Sequence, residues 1–517
     1  MSENFSRTLT LTKTAVRSRR GVVAAQNQVA ADVGADVLSK GGNAVDAAIA
    51  TAYALGAVEP WMSGAGGGGY MVVHLAKERR TQVVDFGMIA SRGLDPKTYP
   101  LAEGRAGDLF GWPAVVEDRN IKGYHAIAVP GQVAGMELAH KTFATWSWAK
   151  LLEPAVAIAE RGINVDWYAS LMIAGAAADL TQFASSRSIF MPSGFPPVLD
   201  WAGTEQRVRN PRLAATMKRL AAAGPRDFYE GEIARMLVAD LKAGGSPIDA
   251  GDLAAYRARL AEPLAFDYGA ARIHAAPGLT AGPTLSRTLG MLAGKISGAA
   301  PSPDSMVAFA EALIAAYQER LTTMGDRETP SCTTNFCVVD GAGNMVALTQ
   351  TLLSLFGSRV VLPESGLLMN NGIMWFDPRP GVPNSMAPGK RPLSNMCPII
   401  ATKAGEPWFA VGASGGRRIM PAVAQIASFL VDHGMDLDRA FTQPRIDVPG
   451  GEPVSIDGKM PEPIRQALAA RFKIRTVPRN VSPMYFACPS SVMREADGGF
   501  AGTAEFTQPW AAASGAD

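Results

Sequence analysis

A chain of 517 residues, 47% hydrophobic and 19% charged, can bury a large core and allows for about three domains. Its formal net charge of +2 argues against nucleic acid as a main partner, because phosphate binding needs a basic surplus on one face. Four cysteines are too few for a disulfide framework, and no apolar run approaches the ~18 residues that would span a membrane.

The N-terminus, "MSENFSRTLTLTKTAVRSRR", lacks the apolar core of a signal peptide, so a cytoplasmic protein is expected. Its basic run over residues 13–21 reads as a solvated arm. "VVAAQN" predicts a strand over 22–27, followed by a helix over 29–40 that Gly41 and Gly42 stop. A second, Ala-rich helix ends at Pro60. The loop "GAGGGG" (64–69) satisfies G-x-G-x-x-G, but the β-rich "YMVVHL" follows it. A dinucleotide site needs a helix there, so no nucleotide cofactor is expected. Apolar positions at helical spacing make 131–260 mostly helical, with Pro/Gly-rich loops at 192–197 and 276–284. After a helix near 303–322 the chain returns to strands from Thr333, with a tail helix over 461–472 and strands near 484–505. Strands at both ends with helices between predict layers of α and β around one core.

The five histidines, His74, His125, His140, His274 and His433, have no metal-ligand spacing, and no metal is expected. The G-x-S-x-G elbow is absent; "GASGGR" only loosely echoes it. One nucleophile needs no histidine. A threonine at the start of a mature chain carries its own base, an α-amino group with a pKa of about 7.7–8.0. "ETPSCTTNFCVVD" has the layout this requires, a loop at Pro330 and Ser331 and then a hydroxyl residue opening a strand.

"GGNAVDAAIATAYALGAVEP", "GAGGGGYMVV" and "VVDF" resemble the N-terminal signature of γ-glutamyltranspeptidases. "TTNFCVVDGAGNMVALTQT", "NNG", "GVPN", "GKRPLSNMCP" and "GASGGRRI" resemble that family's small-subunit motifs in the same order. The resemblance runs over residues 22–505. It implies an α+β fold, the four-layer αββα sandwich of N-terminal-nucleophile hydrolases. It also implies a precursor that cleaves itself between Cys332 and Thr333. Residues 1–332 would then form a large subunit and 333–517 a small one, together one compact catalytic domain acting on a small amide or peptide. Thr333 matches the nucleophile and Thr351 the threonine that hydrogen-bonds it. Gly415 and Gly416 match the oxyanion hole, where a glycine turn before a helix converges backbone N–H groups.

The family's substrate anchors fare differently. Gly87 stands where an arginine follows "VVDF", Leu353 where an asparagine follows Thr351, and Trp375 where an aspartate follows "NNG". Asp377 could serve for that aspartate only if the loop shifts. Of a serine pair, Ser394 remains and Asn395 replaces the second. A bidentate arginine–carboxylate contact is not replaced by neutral groups, so the catalytic parts are expected in a rebuilt acyl pocket. Arg359 and Arg417 stand where the family more often has Gly or Ser, and are candidate new anchors. Only "SMAPG" separates "GVPN" from "KRPLS", so the lid loop is minimal and hydrolysis is expected over transfer. Asn335 stands at the final position of a Thr-Thr-His pattern, and a mechanism without histidine leaves it no role. By family weight the default substrates are γ-glutamyl amides such as glutathione. The alternative is another acyl class, as in cephalosporin-acylase or oxamate-hydrolase branches. A second alternative, from another class, is a catalytically dead binding protein, which would not need both threonines and both glycines.

Overall fold

The structure is a computed structural model that describes residues 10–106, 112–325 and 333–517; Cys332 and the loop before it lie outside the described residues. Two seven-stranded antiparallel sheets carry the fold. Its strands are β1 Val16–Ser18, β2 Gly21–Ala25, β3 Gly68–Leu75, β4 Arg80–Phe86, β5 Arg259–Ala261, β6 Leu264–Tyr268, β7 Ala271–Ala275, β8 Thr334–Asp340, β9 Met345–Thr351, β10 Ile399–Lys403, β11 Glu406–Ser414, β12 Cys488–Arg494, β13 Phe500–Ala504 and β14 Ala512–Gly515. The nucleophile sheet runs β14-β2-β8-β9-β3-β4-β5, and its partner runs β1-β13-β12-β11-β10-β7-β6.

Side chains alternate across each strand, and the alternation sorts the core into layers. From β2 and β8, Val22, Ala24, Cys337 and Val339 face inward, meeting Ile400, Ala410 and Val492 of the partner sheet. Their neighbours Val23, Ala25, Phe336 and Val338 face outward onto helices α1 (Gln28–Ser39) and α2 (Ala44–Val58). On the other side, Ile399, Ala401, Phe409 and Val411 pack against α3 (Pro303–Arg320) and α4 (Ile419–Val431). The expected αββα sandwich is therefore present. With both faces covered, β8 and β9 are buried at every residue, polar ones included.

The predicted first strand ends earlier than expected. Asn27 leaves the strand because its side-chain oxygen accepts from the Val29 N–H at 2.9 Å, capping α1. Asn43 caps α2 in the same way, and Asp46 closes the reciprocal bond to the Asn43 N–H at 2.9 Å. These caps fix where α1 and α2 lie on the nucleophile sheet.

Candidate active site

Strand register assembles the site. Thr334 pairs with Gln350 across β8 and β9, Thr351 pairs with Gly68 across β9 and β3, and Gly69 pairs with Phe86 across β3 and β4. The same registers extended by one residue give a row across four strands: Thr333, Thr351, Gly68 and Gly87. All four positions face the space between the sheets, since each is two residues from an inward-facing neighbour. At about 4.8 Å per strand, Gly87 lies roughly 14 Å from the nucleophile position. The row thus runs from Thr333 to the position where the family resemblance puts an arginine and this chain has Gly87.

Thr333 and Thr351 are both buried, and the Thr351 hydroxyl donates to Thr333 Oγ1 at 3.5 Å. Thr351 is itself oriented by the Leu353 N–H, which donates to its Oγ1 at 2.7 Å. Leu353 has φ 88, and Phe356 and Arg359 follow with φ 60 and 66. Three positive-φ non-glycine residues in one loop mark stored backbone strain, concentrated beside the reacting row.

The glycine turn lies at the end of β11. Gly415 (φ 128) and Gly416 (φ 62) redirect the chain through a short 3₁₀ turn, Gly416–Arg418, into α4. Backbone N–H groups at such a turn are not consumed by the helix and can face a developing negative charge. Ser394 and Asn395 precede β10 in a segment that bonds residues 279–281, with the Ser394 N–H donating to the Leu279 carbonyl at 2.8 Å and the Ala281 N–H to the Met396 carbonyl at 3.0 Å.

The acyl end differs from a γ-glutamyl site in detail. A Cβ at Gly87 would meet the Tyr70 hydroxyl at 2.9 Å, Arg391 Nη1 at 3.4 Å and Asp85 Oδ1 at 3.4 Å. A side chain at this position would therefore have to displace the Tyr70 hydroxyl. Arg391 donates to the Gly87 carbonyl at 3.0 Å and pairs with Asp85 at 3.2 Å. Leu353 and Trp375 sit in the inter-sheet apolar cluster with Ile373 and Met374. The Trp375 indole N–H is buried without a hydrogen-bond partner among the described residues. Asp377 does not substitute for the missing aspartate. Both its carboxylate oxygens are engaged by Arg379, at 2.5 Å through Nη2 and at 3.0 Å through Nε.

Ser394 and Asn395 are both buried. Their segment is held by Arg320, which donates to the Ser394 carbonyl at 2.7 Å and to Asn395 Oδ1 at 3.5 Å. This guanidinium is fully buried, and burial lowers its pKa. No pattern of residues marks it, since an arginine in a helix's last turn ordinarily reads as a solvated dipole partner. Arg359 forms an ion pair with Asp179 at 3.3 Å and donates to the Gly357 carbonyl at 2.5 Å, which ties the strained loop to the helical layer. Arg417 is buried directly after the glycine pair. The short 385–389 loop is pinned, with Lys390 Nζ donating to the Pro383 and Ser385 carbonyls at 2.7 and 2.8 Å.

Asn335 has a structural role that the sequence did not disclose. It is buried between the sheets, accepts from Thr349 Oγ1 at 2.8 Å and donates to Ser490 Oγ at 2.7 Å. It thereby bolts the nucleophile strand to β12. Asn335→Ala is expected to leave two buried hydroxyls short of a partner and to cost about 1–3 kcal/mol, readable by denaturant unfolding. Among the described residues, no group of three or more His, Cys, Asp or Glu side chains could hold a metal ion. The Cys337 and Cys397 thiols are pushed up to about 12 by burial, so neither competes with Thr333 as a nucleophile.

The geometry has known counterparts. A family model described as gamma-glutamyltranspeptidase matches residues 30–333 and 326–514. The chain is 34% identical over 493 residues to the acylase ACY 1 proenzyme of Pseudomonas sp. (strain V22), covering 87% of this chain and 86% of that one. It is 31% identical over 486 residues to the glutathione hydrolase proenzyme of Escherichia coli (strain K12), covering 83% and 81%. The crystal structure of cephalosporin acylase from Bacillus halodurans superposes with a TM-score of 0.85 at 25% identity, covering 100% of this chain and 99% of that one. The family match runs from the first helix into the last strand, and the chain therefore belongs to the gamma-glutamyltranspeptidase family of enzymes.

Proposed function

We propose that this chain is a self-processing amidase that acts on an acyl group other than γ-glutamyl. The observation that carries this reading is the crowding at Gly87, where even a Cβ would meet the Tyr70 hydroxyl at 2.9 Å and Arg391 Nη1 at 3.4 Å, so no side chain can be added there without moving them. Trp375 supports it. Where an aspartate would accept from a substrate ammonium, this chain has an apolar wall and an indole donor, so an ammonium there would lie unpaired. Similarity to the acylase ACY 1 proenzyme and to a cephalosporin acylase points the same way.

The chemistry follows from Thr333. Its Oγ attacks the Cys332 carbonyl, the Thr333 nitrogen leaves as an amine after taking a proton, and water opens the resulting ester. The freed α-amine then removes the Oγ proton as Oγ attacks a substrate amide carbonyl. Charge develops on that carbonyl oxygen, and the N–H groups of the Gly415–Gly416 turn stabilise it. The protonated amine returns its proton to the leaving amine. Water then hydrolyses the acyl ester, with the amine again as base. Thr351 holds the nucleophile's hydroxyl in line.

On a denaturing gel, purified protein should resolve into two bands, the smaller beginning at Thr333. The processed form should hydrolyse an uncharged aliphatic acyl anilide with at least tenfold higher kcat/KM than γ-glutamyl anilide. Preference for γ-glutamyl anilide at micromolar concentration would instead support a glutathione hydrolase-type activity, the reading favoured by similarity to the Escherichia coli enzyme. A single uncut band after prolonged incubation would sink both.

A further inference from the structure

The turn that holds Gly415 and Gly416 is anchored from outside its own segment. Immediately before it, Ser414 Oγ accepts a hydrogen bond from Gln26 Nε2, and that amide also donates to the Cys488 carbonyl at 3.1 Å. Immediately after it, the Arg417 backbone carbonyl accepts from the Tyr317 hydroxyl. Gln26 follows β2, and Tyr317 lies in the last turn of α3. Both precede Thr333, so self-cleavage would leave them in one polypeptide and the glycine turn in the other. All four residues are buried.

We propose that Gln26 and Tyr317 are positioning residues that hold the oxyanion-binding turn from its two sides, so that the oxyanion hole is assembled across the cleavage site. This rests on the assignment of Gly415 and Gly416 as the oxyanion donors.

The turn needs such anchors for a physical reason. A glycine pair gives the backbone the positive φ it requires, but it also makes that backbone permissive. Donors stabilise a transition state only when they are already fixed where the charge will appear. Strand pairing fixes the chain only as far as Ser414, opposite Cys488. Beyond it, Arg418 reaches Asp447 at 3.6 Å and donates to the Met484 carbonyl, anchors contributed by the turn's own segment. On the residues flanking the glycines, Gln26 and Tyr317 add hydrogen bonds from the other side of the cleavage point. The orientation of the Gln26 amide is dictated by the Cys488 carbonyl, which can only accept. Burial raises the Tyr317 phenol above its ordinary pKa, so it remains a donor at any pH where the enzyme works.

The test uses the full-length, processed enzyme and an acyl anilide that the wild type hydrolyses. Tyr317→Phe and Gln26→Met each remove the donor and keep nearly the same volume. Each is expected to lower kcat about 10- to 100-fold with KM within about twofold and a thermal midpoint within a few degrees of wild type. Because both act on one turn, the double variant should lose less than the product of the single losses. Wild-type kcat in both variants overturns the proposal. So does a joint shift of kcat, KM and thermal midpoint, which would make the two residues general packing contributors. Failure of the underlying assignment looks different: Gly415→Ala would then keep wild-type kcat whatever the two variants do.

Discussion

Thr333→Ala is expected to remain one uncut chain of 517 residues and to lose amidase activity by roughly 10⁴-fold or more. Two losses coincide at this position. Without Oγ there is no attack on the Cys332 carbonyl, so the peptide nitrogen is never released as an amine. Without that amine there is no base, and without the hydroxyl there is no acyl-enzyme. Gel electrophoresis and N-terminal sequencing read the first loss, and single-turnover kinetics with an acyl anilide reads the second. Thr333→Ser keeps the hydroxyl and should still process, more slowly, because the missing methyl leaves its rotamer less restricted. In the processed wild type the amine must be unprotonated to act. Activity should therefore fall as pH drops through about 7.7–8.0, the ordinary range for an α-amine. Processing of Thr333→Ala at the wild-type position would overturn the assignment of the nucleophile.

Gly415→Ala should cost about 10²–10³ in kcat. At φ 128 the residue lies where L side chains rarely go, and an added Cβ would stand 3.0 Å from the Ala487 Cα. Backbone against backbone leaves little room to yield, so the turn shifts and its N–H groups move away from the forming oxyanion. The same strain should reduce stability by about 1–3 kcal/mol. Gly434→Ala supplies the control. That glycine also has positive φ, 59, but a Cβ there meets nothing within 4 Å. It should lose stability by about 1 kcal/mol and leave kcat unchanged. Equal kcat losses in the two variants would show that backbone strain, and not the oxyanion turn, is what Gly415→Ala reports.

Some of the site was legible before any coordinates. Thr333 immediately precedes β8 and Thr351 ends β9, two strands joined by a tight turn, and in an antiparallel hairpin such separations place residues opposite each other. Leu353 and Trp375 could be seen as apolar replacements because the motifs around them keep the family's order. Asn335 was not legible. A polar residue in an apolar strand reads the same whether it faces solvent or bridges two sheets, and here its partner Ser490 is far along the chain. Arg320 and Arg391 escaped for the same reason, because the meaning of each depends on which distant carbonyl or carboxylate it meets.

From the sequence, the ordered family motifs implied the αββα layering and a hydrolase with a threonine nucleophile, while local facts marked the candidate positions: a hydroxyl residue at a strand start and a glycine pair before a helix. Tertiary structure decided the rest. It placed Thr333, Thr351, Gly68 and Gly87 in one row, set Tyr70 and Arg391 beside Gly87, and set Gln26 and Tyr317 against the glycine turn. Pocket shape and donor position arise from side chains distant in the chain meeting within about 3 Å, and such meetings leave no periodic trace in the sequence.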